Sequence, residues 1–205
     1  MYLPKHFAET DIAKLHDLMR TFPLATLVTH GADGLEANHV PLLLDRAAGP
    51  NGTLRGHVAR GNPLAAADGQ EILVIFQGHE GYISPSGYAT KAEHGKVVPT
   101  WNYCAVHVTG RLRVVDDAQW LLAQLTALTA EHEAGLAKPW AVGDAPADYI
   151  EKMLGAIVGI EIVVERLIGK WKVSQNQPAV NQASLIEALA GEPMAELIRE
   201  GALFK

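Results

Sequence analysis

The feature that most constrains the fold is a series of short apolar segments that follow one another with turn residues between them. They cover Leu24–His30, Leu35–Asp45, Thr53–Ala59 and Ile72–Phe76. Between the first two lies Gly31–Gly34, whose glycine and aspartate residues tolerate positive φ and favour a tight turn. Consecutive strands joined by turns predict an antiparallel sheet, and they argue against the strand–helix alternation of a doubly wound parallel sheet.

Two later segments show the alternation of a half-buried strand. In Val106–Val114, valines and a leucine alternate with a histidine, a threonine and two arginines, and Ile160–Arg166 alternates in the same way. Ile72–Phe76 is instead continuously apolar, which predicts a strand buried on both faces. Pro41 cannot donate to a neighbouring strand, so its segment is expected at a sheet edge or a bulge.

Helices are expected at both ends of the chain, after the third strand and between the last two strands. The predicted starts are Thr10 or Asp11, Pro63, Asp117, Pro146 and Ser184, and the last helix breaks at Gly191 and restarts at Pro193. This order predicts a mainly β, α+β fold in which helices pack outside an antiparallel sheet or barrel. We expect one domain over residues 1–205, with a helical C-terminal tail from about residue 180.

Composition narrows the class of protein. With 48% hydrophobic and 20% charged residues, the chain is not intrinsically disordered. Lys plus Arg is 17 and Asp plus Glu is 23, giving a net charge of −6, which opposes a generally basic nucleic-acid surface. Cys104 is the only cysteine, so no internal disulfide is expected, and no signal-peptide core opens the chain. We therefore expect a cytoplasmic globular protein.

A candidate phosphate site follows the third strand. Asn62 is a favoured N-cap residue and Pro63 a favoured first helical residue, so free backbone N–H groups would gather beside Arg60. Gly61 would let a ligand approach the backbone. The same residues are also typical of a plain strand-to-helix turn with a solvated arginine, which local chemistry alone favours without excluding the phosphate site.

Two further segments carry ligand-binding chemistry. Trp101, Asn102 and Tyr103 offer aromatic surface and amide hydrogen bonds, which suit a flat heterocycle but also an aromatic cap on a sheet edge. Lys170–Asn176 clusters lysines, a hydroxyl and amides, which could complete a polar pocket or form a polar loop. Cys104 has the character of a small buried hydrophobe. We predict no catalytic and no metal-binding residue, because no HExxH or Cys/His ligand spacing occurs.

Motifs along nearly the whole chain resemble the PaiB-type FMN-binding negative transcriptional regulators. They occur in the family's order at Met1–Phe7, Asn38–Leu44, Gly56–Pro63, Val74–Gly78, Tyr82–Ser86, Val98–Tyr103, Gly159–Glu161 and Gly169–Asn176. The resemblance implies an FMN-binding split β-barrel with peripheral helices, FMN as cofactor, and a homodimer with flavin at the subunit interface. The resulting candidate cofactor-binding residues are His39, Pro41, His57, Val58, Ala59, Arg60, Asn62, Thr100, Trp101, Asn102, Lys172, Gln175 and Asn176.

The resemblance implies a regulator of transcription, with DNA as an implied partner. The acidic net charge and the lack of a recognisable helix-turn-helix argue against tight autonomous DNA binding. A flavin-dependent oxidoreductase is the alternative, since flavin carries redox chemistry without a protein acid, base or nucleophile. A haem-binding relative that uses His39 or His57 is a further alternative.

Overall fold

The computed structural model describes residues 1–31 and 34–203. Within this part of the chain the strands are β1 (Ala8–Glu9), β2 (Leu24–Gly31), β3 (Gly34–Pro41), β4 (Leu43–Asp45), β5 (Thr53–Ala59), β6 (Glu71–Ile83), β7 (Thr100–Val115) and β8 (Ile157–Lys172). The helices are α1 (Ile12–Thr21), α2 (Lys91–His94), α3 (Ala118–Glu133), α4 (Ala147–Leu154), α5 (Ala179–Ala188) and α6 (Pro193–Leu203). No helix among these residues is long and apolar enough to cross a membrane.

The strands form one sheet in the order β3-β2-β6-β7-β8-β5-β4, and β1 pairs with β8. Pairing is antiparallel between β2 and β3, β2 and β6, β4 and β5, β5 and β8, and β1 and β8. The predicted antiparallel sheet with additional helices is therefore confirmed. The predicted turn over Gly31–Gly34 includes Ala32 and Asp33, which lie outside the described residues.

The chain forms two compact units. The first comprises Met1–Leu18, Gln77–His107 and the chain from Ile168 onwards, and the second comprises Met19–Phe76 and Val108–Leu167. The long strands β6, β7 and β8 supply residues to both. The expectation of a single domain over 1–205 stays a prediction.

The first unit buries a core that its strands and helices share. Its buried apolar side chains include Phe7, Leu15, Ile83, Val106, Leu185 and Ile198. Gly169 on β8 lets α1 approach closely, because a Cβ there would overlap the Leu15 side chain and lie 2.8 Å from the carbonyl oxygen of Glu9.

The second unit buries residues that alternate along its strands. They include Leu27, Leu54, Ile72, Val74, Phe76, Leu112, Ile160 and Ile162. Helix α3 adds Leu121 to this core, and its Asp117 cap accepts a hydrogen bond from the Trp120 N–H at 2.7 Å. Gly159 leaves room for the indole of Trp120, which a Cβ at that position would overlap.

The second strand segment differs from its prediction. Leu35–Asp45 is divided into β3 and β4, which end and begin on either side of Leu42. β3 is the first strand in the sheet order, so the edge position predicted for Pro41 is confirmed. The continuous apolar run in β6 is buried mainly on one face: Ile72, Val74 and Phe76 are fully buried, whereas Leu73 and Ile75 are half-buried. The expectation of burial on both faces was wrong.

Two helix predictions also needed correction. The short helix expected near Pro63 is a single 3₁₀ turn over Pro63–Ala66. The C-terminal helical region begins at Ala179, which agrees with the tail expected from about residue 180 but precedes the predicted helix start at Ser184, and α5 and α6 are separated around Gly191, whose φ is +89°. Glycine is favoured at that break because other residues rarely adopt positive φ.

Candidate cofactor site

His39 and Pro41 lie on the edge strand β3 of the second unit, and both are exposed. The Nδ1 atom of His39 is 3.1 Å from the hydroxyl oxygen of Thr26, which stands opposite it in the register of β2 and β3. Pro41 is the last residue of β3. The predicted residues of this strand are therefore open to a ligand, with His39 held by its cross-strand partner.

The three candidates on β5 have different surroundings. Val58 is 6% exposed and belongs to the core, whereas Ala59 at the end of the strand is exposed. Half-buried His57 has its Nδ1 3.3 Å from Oε1 of Gln124, so Nδ1–H donates and Nε2 is left as an acceptor. Burial lowers the pKa of His57, although the hydrogen bond to Gln124 opposes this effect. Burial therefore favours the neutral form of the ring.

Arg60, the candidate phosphate ligand, is bound by the protein itself. Its guanidinium donates to both carboxylate oxygens of Asp116, at 2.7 and 2.8 Å, and to the carbonyl oxygens of Gly155 and Ile157 at 3.1 Å each. Four of its five N–H donors are thus used. Hydrogen bonding to Asp116 raises the pKa of Arg60 further. A phosphate at Arg60 would have to compete with Asp116, and its phosphate role stays a prediction.

Asn62 has the capping role predicted for it. Its Oδ1 accepts from the Leu64 N–H at 2.9 Å, and its Nδ2 donates to Oδ1 of Asn38 at 2.9 Å. Because the turn that it caps has only four residues, it lacks the aligned dipoles of a longer α-helix. The helix-based argument for a phosphate site therefore does not hold, and a contact from the Asn62 side chain stays a prediction.

In the first unit, the start of β7 and the end of β8 are joined through Lys172. Its ammonium donates to the Thr100 hydroxyl and to the carbonyl oxygen of Trp101. The Trp101 indole is 50% exposed, its N–H donates to Glu80, and its ring centroid is 5.9 Å from that of Tyr82. The structure thus brings an exposed aromatic surface and a cation together, as ring and anion binding would require.

Asn102 lies beside them in a buried polar cluster. It is 1% exposed, and its Nδ2 donates to the Ser174 hydroxyl at 2.9 Å. Its Oδ1 is buried without a hydrogen-bond partner among the described residues. Ser174 has a φ of +65°, a conformation that costs free energy for a non-glycine residue and that often occurs at functional sites.

The last two candidates are Gln175 and Asn176. The amide of Gln175 is used by the backbone, since Nε2 donates to the carbonyl oxygen of Trp171 at 2.6 Å and Oε1 accepts from the Val173 N–H at 2.8 Å. Gln175 also lines a cavity of about 510 Å³ in the first unit. Asn176 is exposed. Both roles stay predictions.

Lys170 opens the polar segment Lys170–Asn176 but is absent from the predicted cofactor-binding residues. This residue is 7% exposed, and its Nζ donates to the carbonyl oxygen of Tyr2 at 3.1 Å and lies 5.1 Å from the ring centroid of Tyr103. Burial and the charge of Lys170 lower the pKa of Lys172. A signal was present in the sequence, because residues two positions apart on a strand share a face.

Other chemistry is limited in the described part of the chain. Burial raises the pKa of Cys104 to about 12, which keeps the thiol protonated. No group of three or more His, Cys, Asp or Glu side chains among residues 1–31 and 34–203 is placed to hold a metal ion.

Comparison with known proteins identifies the family. Residues 1–166 match the family described as "Putative FMN-binding domain". The chain belongs to this family. It is 31% identical to the Bacillus subtilis "Protease synthase and sporulation protein PAI 2", with 98% of this chain and 97% of that protein covered. It is 35% identical to an uncharacterized protein of Emericella nidulans, again covering 98% and 97%.

Solved structures show the fold of this FMN-binding family member. An FAD- and haem-binding protein from Mycobacterium smegmatis matches with a TM-score of 0.59 at 20% identity, covering 80% of this chain and 73% of that one. A flavocytochrome from Azotobacter vinelandii matches with a TM-score of 0.61 at 14% identity, covering 83% and 72%. The predictions of the family, the split-barrel fold and FMN as the cofactor are confirmed.

The residues of the first unit fit FMN, which combines a phosphate with a flat aromatic ring. The exposed Trp101 indole offers a stacking surface, and the ammonium groups of Lys170 and Lys172 have no carboxylate within 4 Å among the described residues. When bound, FMN supplies redox chemistry that side chains lack. The protein groups described above would bind and orient it.

Proposed function

We propose that the protein is an FMN-binding regulator of the PaiB type that works as a cytoplasmic homodimer and forms no tight DNA complex of its own. The observation that carries the proposal is the match of residues 1–166 to an FMN-binding family. The regulatory part is supported by the motif resemblance and by the relation to PAI 2 over almost the full length of both chains.

FMN binding is tested by the visible spectrum of the purified protein, before and after addition of FMN. We expect a bound-flavin spectrum, and we expect Trp101→Ala to weaken FMN binding by about 1–3 kcal/mol, the range for stacking of a base on an aromatic side chain. Trp140→Ala is the matched control, since Trp140 is 46% exposed but lies in the second unit. A haem spectrum, or no uptake of added FMN, would contradict the proposal.

The homodimer is supported by apolar side chains that the first unit leaves exposed. Val98, Tyr82 and Trp101 are 74%, 55% and 50% exposed, and the last two are in ring contact. Exposed aromatic groups of this kind are typical of protein interfaces. Light scattering should give about twice the 22.0 kDa chain mass. Tyr82→Ser should weaken the dimer and Tyr149→Ser, in the second unit, should not; a single-chain mass at micromolar concentration would contradict the proposal.

A flavin-dependent oxidoreductase is the second candidate function. It is favoured by the pairing of basic residues: the arginines that form salt bridges with carboxylates include Arg20, Arg55, Arg60, Arg113 and Arg199. Paired arginines are poor ligands for DNA phosphates, whereas FMN carries redox chemistry itself. Anaerobic mixing of the FMN-loaded protein with NADH or NADPH tests this function. Flavin bleaching faster than that of free FMN would support it, and unchanged flavin would oppose it.

A further inference from the structure

The two lysines at the end of β8 carry positive charge that no carboxylate of residues 1–31 and 34–203 neutralises. Lys170 is 7% exposed and Lys172 is half-buried. Neither ammonium has a carboxylate within 4 Å in the described part of the chain, whereas Lys14 of the same unit is paired with Glu9. The Glu80 carboxylate bonds to the Trp101 indole N–H instead.

The partners of both ammonium groups are neutral. Lys170 donates to the carbonyl oxygen of Tyr2 and faces the rings of Tyr2 and Tyr103, at 5.9 and 5.1 Å from their centroids. Lys172 donates to the Thr100 hydroxyl and the Trp101 carbonyl. Such partners orient a cation, but they do not compensate two like charges withdrawn from water on one face of a strand. Burial and repulsion from Lys170 lower the pKa of Lys172, as expected for a site that lacks its counter-charge.

We infer that Lys170 and Lys172 form a binding site for the phosphate group of a phosphate monoester. Two ammonium groups match this ligand because it carries about −1.5 to −2 charges at pH 7, whereas one carboxylate would neutralise only one of them. Where the phosphate is that of FMN, the inference rests on the proposed function. A second source is inorganic phosphate or another small phosphate ester.

A purely structural role for the lysines makes a different prediction. A lysine kept for folding would lower stability when replaced. A lysine kept for a ligand can be replaced by the similarly sized, uncharged methionine with unchanged or higher stability, because a buried charge without a counter-charge is removed. Only the ligand role couples the lysines to phosphate.

The test compares wild type with Lys170→Met, Lys172→Met and the double variant, and uses Lys96→Met as the matched control. Lys96 is an exposed lysine of the same unit. Melting temperatures are measured in inorganic phosphate and in chloride at equal ionic strength. Dissociation constants are measured for FMN and for riboflavin, which lacks the phosphate. The pKa of the Lys172 ammonium is followed by NMR with and without phosphate.

We expect phosphate to raise the melting temperature of wild type and of Lys96→Met, and to raise the pKa of Lys172. Each site variant should lose the phosphate-dependent shift. If the phosphate is that of FMN, each should also bind FMN roughly 10- to 100-fold more weakly, with riboflavin unchanged. A lost shift with an unchanged FMN-to-riboflavin ratio would assign the site to another phosphate ester.

The inference is overturned if phosphate has no effect on melting or on the pKa of Lys172, and the variants keep the FMN-to-riboflavin ratio. FMN binding by wild type would then leave the proposed function standing. Conversely, a wild type that binds no flavin but is stabilised by phosphate through Lys172 would remove the proposed function and keep this site. Should Lys170→Met fail to fold, half-buried Lys172→Met gives the same comparison.

Discussion

Two basic side chains, Arg60 and Lys170, have opposite surroundings. Arg60 is exposed, and it forms a two-pronged ion pair with Asp116 at 2.7 and 2.8 Å. Lys170 is buried, and its ammonium contacts the Tyr2 carbonyl and the rings of Tyr2 and Tyr103, with no carboxylate partner among the described residues. A bound anion gains most from a cation whose charge is not already neutralised. Of these two side chains, Lys170 therefore keeps its charge available for an anion, whereas the Arg60 guanidinium is already paired with Asp116.

Arg60→Ala should therefore weaken the binding of FMN and of riboflavin by the same factor, if it weakens the binding of either. The substitution removes the bonds to Asp116, Gly155 and Ile157, so we also expect a lower melting temperature. Fluorescence titrations with the two flavins, together with thermal unfolding, measure both effects. Asp116→Asn is the control, because it removes the ion pair but keeps the cation. A loss of affinity for FMN with unchanged affinity for riboflavin would assign Arg60 the phosphate role that its sequence context first suggested.

At the scale of elements, a charge network holds strands β5, β7 and β8 of the second unit together. Arg55 stands opposite Glu161 in the register and donates to it at 2.9 Å, and Arg113 donates to the same carboxylate at 2.7 Å. Arg55 also donates to Asp45 on β4 at 2.9 Å. Burial opposes the ionisation of Glu161, but the hydrogen bonds from Arg113 and Arg55 together outweigh it and lower its pKa.

Glu161→Gln should lower the free energy of unfolding by about 1–3 kcal/mol at pH 7, because it leaves two arginines facing each other. The folded-state pKa is depressed, so this contribution is complete above the unfolded pKa of about 4.3 and is lost as pH falls through the lower folded value. The difference between wild type and variant should then shrink below about pH 4. Chemical denaturation at several pH values measures it.

Glu165→Gln is the matched control for this prediction. Glu165 lies on the same face of β8 four residues along and is exposed. Replacing it by glutamine should change the free energy of unfolding little, because isolated surface charges usually contribute little to stability. Equal effects of the two substitutions, or a difference that does not depend on pH, would rule out the role assigned to Glu161.

The same elements show how much of the fold the sequence predicts. Thr53–Ala59 was predicted with the bounds that β5 has, because an apolar run and a turn signal limit it. β7 was predicted from Val106 but begins at Thr100. Its first half escapes the pattern, since Asn102 is polar but buried and Trp101 is apolar but half exposed. β8 extends beyond its prediction for the same reason, with a buried lysine near its end.

The candidate site was predictable in part. Adjacent residues such as Thr100, Trp101 and Asn102 could be chosen from local chemistry. The pairing of Arg60 could not, because Asp116 lies 56 positions away and only the fold brings it close. The burial of Lys170 was equally hidden, since it depends on packing against Tyr2 and Tyr103. Sequence pattern gives residue type and face, whereas counter-charges and burial come from tertiary contacts.

For the whole molecule, the net charge of −6 and the placement of its cations bear on DNA binding. Arginines without a carboxylate partner in the described part of the chain are few and scattered. Arg111 donates to the carbonyl oxygen of Gly69, and Arg166 donates to the hydroxyl of Thr109. DNA affinity depends on the number of phosphates that cations neutralise, so these scattered arginines support few contacts even in a dimer.

We therefore expect weak DNA binding by the FMN-loaded protein, with no specific complex at about 150 mM salt, a condition that screens scattered charges. Titration against promoter fragments with competitor DNA, repeated over a salt series, measures the affinity and its dependence on salt concentration, the salt slope. Replacing Arg111 and Arg166 by Gln should lower the salt slope by about 0.9 for each phosphate contact removed, because each contact releases condensed counterions. Arg199→Gln is the control, since Arg199 is already paired with Glu196. A specific complex in the range of about 10⁻⁸–10⁻¹¹ M, typical of true operator-binding proteins, would show that the protein binds its operator directly. If no specific DNA complex forms, regulation by this chain has to act through its flavin or through a partner protein.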